Sequence, residues 1–178
     1  MDDEEHVLSD GRRVTVRPIR PDDAGALRAA FDRLSPESRY RRFLAGMAEL
    51  SDAQLRYLTN VDGENHVALV AIWQTPDLKE ERGVGVARFI RDASNPAVAE
   101  AAIVVADEMR RCGLGRILLT QLSRIAWKQG VRKLCGEVQT SNGPMRHILD
   151  IIGARVTTTR DTTEFEVDIA PPPEERAR

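Results

Sequence analysis

Aromatic side chains are scarce in this sequence, at 4% of 178 residues. A platform for stacking nucleic-acid bases is therefore not expected. Cysteine is scarcer still, with Cys112 and Cys135 alone. Two such residues make neither a disulfide framework nor a metal-ligand spacing, and they suit a reducing compartment. No apolar run approaches the roughly 20 residues of a membrane-spanning helix. An excess of one charge is missing too: 26 Lys and Arg stand against 28 Asp and Glu, for a net charge of −2. Bulk attraction to nucleic acid or another polyanion is not expected at that balance. The start, MDDEEH, is acidic and lacks the basic opening of a signal peptide. A cytoplasmic protein with no membrane, nucleic-acid or metal partner is the expectation.

What is present is concentrated between Glu100 and Leu119, in EAAIVVADEMRRCGLGRILL. Ala101 to Val105 is apolar with β-branched residues at its end, and reads as a buried strand. Ala106 to Leu114 is a polar turn carrying Arg110, Arg111 and Gly113. Gly115 then opens a helix with Ile117, Leu118, Leu122 and Ile125 on or near one face. The first N–H groups of such a helix have no intrahelical partner, and its dipole adds partial positive charge there. Phosphate is the usual occupant of that arrangement. Gly113 and Gly115 let the main chain approach a phosphate closely. A Walker loop needs Gly-Lys-[Ser/Thr], whereas Arg116 and Ile117 follow Gly115 here. A dinucleotide loop needs a third glycine, whereas Leu118 stands in its place. The other reading of these residues is a glycine turn with no ligand.

The rest of the chain alternates strand and helix signals. A strand is expected over Val14–Ile19, and a helix over Ala24–Leu34 capped by Asp22 and Asp23. Ser35-Pro36 starts a second helix carrying Arg39, Arg41 and Arg42, read as a solvated face, and running to Leu44. Ser51 caps a third helix. Strands follow over Asn65–Trp73 and Gly83–Arg91, joined by a polar connection from Thr75 to Arg82. After the central strand and helix come a strand to Gln139, a helix from Asn142 to Ile152, and a terminal hairpin. Residues 1–11 read as a flexible N-terminus, 12–169 as one domain, and 170–178 as a flexible Pro-rich tail. The class is α/β (α+β): a mixed, mostly antiparallel sheet of about seven strands with helices on both faces.

The spacing Arg110-x-x-Gly113-x-Gly115, in its strand–turn–helix context, resembles the coenzyme A signature of the GNAT acetyltransferase superfamily. The element order resembles the GNAT fold from Val14 to Ile169. LSPESRYRRFL (Leu34–Leu44), Leu50-Ser-Asp and HVALVA (His66–Ala71) look like the acetyltransferase domain of bacterial Pat-type protein lysine acetyltransferases. In Pat proteins that domain is joined to a cyclic-nucleotide-binding or acyl-CoA-synthetase-like domain. A chain of 178 residues has no length for either, so such regulation is not expected.

The resemblance implies acetyl-CoA as co-substrate and acetyl transfer to a primary amine, with a protein lysine the best-supported acceptor. The donor's pyrophosphate is expected on Arg110, Arg111, Cys112, Gly113, Leu114, Gly115 and Arg116. Its pantetheine is expected along Ile103, Val104 and Val105, and a further contact at Asn142, where helix capping by Ser141 or Asn142 is the more usual reason for such residues and can hold at the same time. Glu100 is the candidate base, expected to be partly desolvated among Ala99, Ala101 and Ala102. It reads equally as an exposed glutamate at a strand start. The family's usual acid, a tyrosine seven residues after the asparagine, is replaced by Leu149. His66 reads as structural, and both cysteines as chemically idle. A small-amine acetyltransferase and a silent acyl-CoA-binding module are the alternatives. A monomer or weak homodimer is expected.

Overall fold

The computed structural model describes residues 3–43, 49–75 and 80–171, and of 41–43 the main chain only. The tail from residue 172, the second helix's end at Leu44, the side chains of Arg41 and Arg42, and the centre of the 75–82 connection lie outside the described residues. The strands are β1 (Glu4–Val7), β2 (Arg13–Pro18), β3 (His66–Gln74), β4 (Glu81–Arg91), β5 (Val98–Val105), β6 (Lys133–Gln139), β7 (Arg155–Thr158) and β8 (Thr162–Asp168). The helices are α1 (Ala24–Arg33), α2 (Pro36–Phe43), α3 (Asp52–Thr59), α4 (Leu114–Lys128) and α5 (Gly143–Ile151), with 3-10 turns at Pro21–Asp23 and Asp107–Met109. The strands form one sheet in the order β1-β2-β3-β4-β5-β6-β8-β7. Each neighbouring pair is antiparallel except β5 with β6.

Strand alternation sorts the sheet into two faces. One face carries Leu69, Ala87, Phe89, Ala99 and Ala101, packed under Leu114, Leu118 and Leu122 of α4. Gly85 makes that contact close, since a Cβ there would lie 2.9 Å from Leu118 Cδ1. The opposite face carries Val70, Val86 and Val104 under α1 and α3. Farther along the first face, α5 sets Leu149 on Val138 and Phe165.

Three local expectations are corrected. Residues 4–7, expected to be frayed, pair with β2 in the register Glu4↔Val16 to Val7↔Arg13. Main-chain bonds make that edge strand, so its charged side chains do not oppose it. Ser9 N–H reaches Cys112 O at 3.1 Å, and Leu8 is buried, so the segment is anchored. No side chain caps α1. Asp23 instead accepts from Arg17 at 2.7 and 2.8 Å and from the Arg20 N–H at 2.7 Å. Arg39 is no solvated cation: it donates to Leu34 O and Asp32 O and lies 4.7 Å over the Phe31 ring. The serine caps stand as expected. Ser51 and Gln54 bond reciprocally, and Ser35 Oγ accepts from Ser38 N–H at 3.2 Å.

Gly136 on β6 sits where the sheet is tightest. A Cβ there would lie 2.8 Å from Ala101 O and 2.8 Å from the Phe165 ring. Neither the carbonyl nor the packed ring can yield cheaply. Gly136→Ala should therefore lower stability by about 1–3 kcal/mol, read as a shift of the urea midpoint. An unchanged midpoint would show that β5 and β6 are not held this closely.

Candidate active site

Strands β5 and β6 pair only over Val98–Glu100 with Lys133–Cys135. Past Glu100, β5 stays on β4 as far as Val105 while β6 follows β8. The parting leaves a cavity of about 280 Å³, lined among others by Glu100, Ala102, Ile103, Glu137, Asn142 and Leu149. These residues come from both faces of the sheet, so the gap opens through it. The main chain there has a definite sense. Ala106 N–H bonds to Val84 O at 2.8 Å, so in the antiparallel ladder the even-numbered residues of β5 face β4. Ile103 and Val105 turn their N–H and C=O toward the gap, while Val104 spends its own on β4.

At the far end of the gap the chain makes the turn into α4. Arg111 (φ 60°) and Gly113 (φ 89°) both lie in the left-handed region, which glycine enters freely and arginine does not. No side chain caps α4, so its first N–H groups stay open to a ligand. Leu114 and Cys112 are buried, and the Cys112 thiol donates to Met109 O at 2.9 Å. These two residues can offer a ligand only their main chain. Gly115 stands clear, with Val105 Cγ2 and Ile148 Cδ1 at 3.8 and 3.6 Å from its hypothetical Cβ. Arg111 and Arg116 are exposed and make no side-chain bond among the described residues.

Arg110 is engaged elsewhere. Its guanidinium lies 2.6 Å from the Asp107 carboxylate and donates to Ser38 Oγ at 2.6 Å. Asp107 also accepts from Ser35 N–H at 2.9 Å and Ser38 Oγ at 2.7 Å. Burial alone would raise the Asp107 carboxyl; the bonds from Ser35 and Ser38 and the Arg110 charge outweigh it and hold it below the usual range. Nothing within the 100–119 stretch announces this, because Ser38 lies 72 residues from Arg110.

Glu100 is exposed, against the expected desolvation. Its neighbours Ala99 and Ala101 point into the α4 core, and alternation turns the glutamate to the opposite face. There it falls in a row with His66, Ile90 and Cys135 on the adjoining strands. Glu137, also exposed, borders the same cavity and stands directly opposite Glu164 on β8. Like charges so paired repel. None of the three glutamates has an ion-pair partner among the described residues. The alternation in Cys135-Gly-Glu-Val138 was the available signal for Glu137, but that signal does not place it near Glu100. The Cys135 thiol is pushed up by burial and then by Glu100, which disfavours a thiolate nucleophile. Asn142 caps α5, accepting from Met145 N–H at 3.3 Å. Leu149 is 1% exposed. No three His, Cys, Asp or Glu among the described residues could share a metal, and no described helix is long and apolar enough to cross a membrane.

The model of the acetyltransferase (GNAT) domain matches residues 13–155. The chain belongs to the GNAT acetyltransferase family. An acetyltransferase of Pseudomonas aeruginosa is 32% identical over 146 residues, covering 82% of this chain and 77% of that one. Acetyltransferase Pat of Mycolicibacterium smegmatis is 31% identical over 157 residues, or 88% of this chain. The match spans 46% of Pat, so this GNAT chain corresponds to less than half of that relative. The crystal structure of the GNAT domain of S. lividans PAT agrees with a TM-score of 0.82 at 28% identity, covering 93% of this chain and 96% of that one. As a GNAT enzyme the protein is an acetyl-CoA-dependent acetyltransferase.

His66 is the one imidazole in the Glu100 row. Its Nε2 meets the Arg88 guanidinium at 3.0 Å, and its ring stands 5.1 Å from Tyr57. Burial first, then the Arg88 charge, lower its pKa. The unfolded chain takes up that proton near the ordinary value of about 6.5, and the folded chain only at lower pH. The unfolded state therefore binds more protons in between, so stability falls as pH drops below about 6.5. His66→Gln should flatten that part of the stability–pH curve, measured by urea unfolding from neutral pH downward. An unaltered curve would show that His66 is solvated.

Proposed function

We propose that this enzyme transfers the acetyl group of acetyl-CoA directly to a primary amine, a protein lysine, with Glu100 taking the amine's proton. The observation that carries the reading is the place of Glu100. It stands at the last β5–β6 pair, where the gap begins; Ile103 lines the cavity there, and β5 runs on through Val105 toward the turn before the uncapped α4.

On the donor side, the main chain of 112–116 would hold the pyrophosphate, with Arg111 and Arg116 adding charge. The free main-chain groups of Ile103 and Val105 would take the pantetheine amides as an added half-strand. Asn142, beside the same cavity, would flank it. On the acceptor side, Glu100 and Glu137 present two unpaired carboxylates that attract a protonated amine. Glu100 takes one proton from the ammonium and so frees its lone pair; the nitrogen then bonds to the acetyl carbon as the carbon–sulfur bond breaks, and its second proton passes to solvent. Leu149 has no proton to give the thiolate, so water supplies it. Cys112 is buried, and the Cys135 thiol beside Glu100 is pushed up by burial, which favours direct transfer over an acyl-enzyme. The lysine acceptor rests on the resemblance to Pat-type domains. The whole reading needs one chain, in the cytoplasm, as a monomer or weak homodimer.

Leu149 also favours a second reading, a domain that binds acetyl-CoA without turnover. Two measurements separate them. Gly115→Glu should fold, since no atom lies closer than 3.6 Å to its hypothetical Cβ, yet abolish acetyl-CoA binding in calorimetry. Undiminished binding would remove the loop from the donor site. Glu100→Gln should keep acetyl-CoA affinity while turnover of a lysine peptide falls roughly 10²-fold or more. Rising pH should partly restore it, because a lysine acceptor loses its proton unaided near 10.4. Wild-type turnover in the variant would rule out Glu100 as base. Binding by wild type without turnover of any amine or protein would favour the silent domain.

A further inference from the structure

Asp107 takes no part in the transfer just described, yet every oxygen it has is occupied. Oδ2 receives the Ser35 N–H at 2.9 Å, and Oδ1 receives Ser38 Oγ at 2.7 Å and the Arg110 guanidinium at 2.6 Å. Ser38 Oγ, 5% exposed as a residue, also accepts from Arg110 at 2.6 Å and from Ser35 Oγ at 3.0 Å. Ser35 and Ser38 are the opening of α2, on the face of the sheet that carries Glu100 and Glu137. Asp107 and Arg110 are the entry to the turn that ends at α4. A carboxylate at the start of α2 is also favoured by that helix's dipole.

The turn itself needs holding. Arg111 is in the left-handed region at φ 60°, a conformation that persists in a non-glycine residue only when its surroundings impose it. The Arg110 side chain just before it is pinned by Asp107 and Ser38, and the Cys112 carbonyl just after it by Ser9 N–H. We propose that Asp107 is a positioning residue that locks the donor loop to α2. Resting on the acetyl-CoA reading of that loop, this makes donor affinity depend on α2 being docked. Arg110 then acts through Asp107 and not as a direct phosphate ligand. Because linkage is reciprocal, donor binding must also steady α2, on the acceptor side.

The experiment measures acetyl-CoA binding by calorimetry for wild type, Asp107→Asn, Arg110→Gln and the double variant. Each single variant should raise Kd about tenfold, and the double should cost no more than one alone, as expected of residues that act as one unit. At saturating acetyl-CoA, kcat on a lysine peptide should stay within about threefold of wild type, which splits positioning from chemistry. Amide exchange should show residues 36–43 gaining protection on acetyl-CoA binding in wild type and not in Asp107→Asn. Ser38→Ala, which removes a single hydroxyl, repeats the affinity and exchange readings should the Asp107 variant fail to fold. Asp107→Asn binding as tightly as wild type, or tighter because Arg110 is released onto the phosphate, overturns the proposal. So do additive losses in the double variant, and unchanged protection of 36–43. Wild type that binds no acetyl-CoA overturns instead the acetyl-CoA reading of the loop.

Discussion

Main-chain amides in a sheet interior must find partners, and β5 breaks that rule by design of its neighbours. For three residues β6 supplies the partners, and then it turns away toward β8. Gly136 marks the closest approach, with Ala101 O and the Phe165 ring filling the space a side chain would need. Beyond it, Ile103 turns its donor and acceptor to a cavity, and Val105 turns its own away from β4. An orphaned amide is costly when dry, which makes this edge receptive to any extended chain bearing amides. Glu100 stands at the last pair before the strands part, and Asn142 and Leu149 border the cavity beyond it.

The gap also sorts the chemistry by face. Packing against α4 and α5 gives one side apolar walls, with Leu119, Leu134 and Phe165 around the opening. The other side shows carboxylates, with Glu137 and Glu164 opposed at a cost in repulsion. A thioester donor suits the first environment and a cationic amine the second. Neither cysteine is primed as a nucleophile: Cys112 is sealed in the core, and Cys135, beside Glu100, has its thiol pushed up by burial and by that carboxylate.

Much of this was legible in the sequence because it is local. Alternation and short apolar runs located the strands from β2 to β8, serine caps located α2 and α3, and the glycine turn announced the start of α4. The failures share a cause: each depends on a partner remote in sequence or on main-chain bonding. The β1 strand is polar and pairs through amides alone. Asp23 leaves its helix for Arg17, and Arg39 folds back over Phe31. The partners of Arg110 were hidden as well, because Ser38 lies 72 residues away. The alanines around Glu100 suggested an apolar pocket, when alternation sends them and the glutamate to opposite faces. Glu137 joins Glu100 only through the parallel pairing of β5 and β6, a long-range contact that local pattern does not encode.

That three-residue parallel ladder has a mechanical side. It is the one stretch of strand pairing that connects β1 to β5 with β6, β8 and β7. From Glu100 to Val105 the unpaired edge extends about 16 Å, at roughly 3.3 Å per residue. A rotation of only about 10° at the ladder therefore displaces the far end by about 3 Å, beside the Arg111–Gly113 turn. For such a rotation the fulcrum is at the glutamate and the long arm at the turn before α4. Small angular play at one end becomes a change of width at the other, while the geometry around Glu100 barely moves.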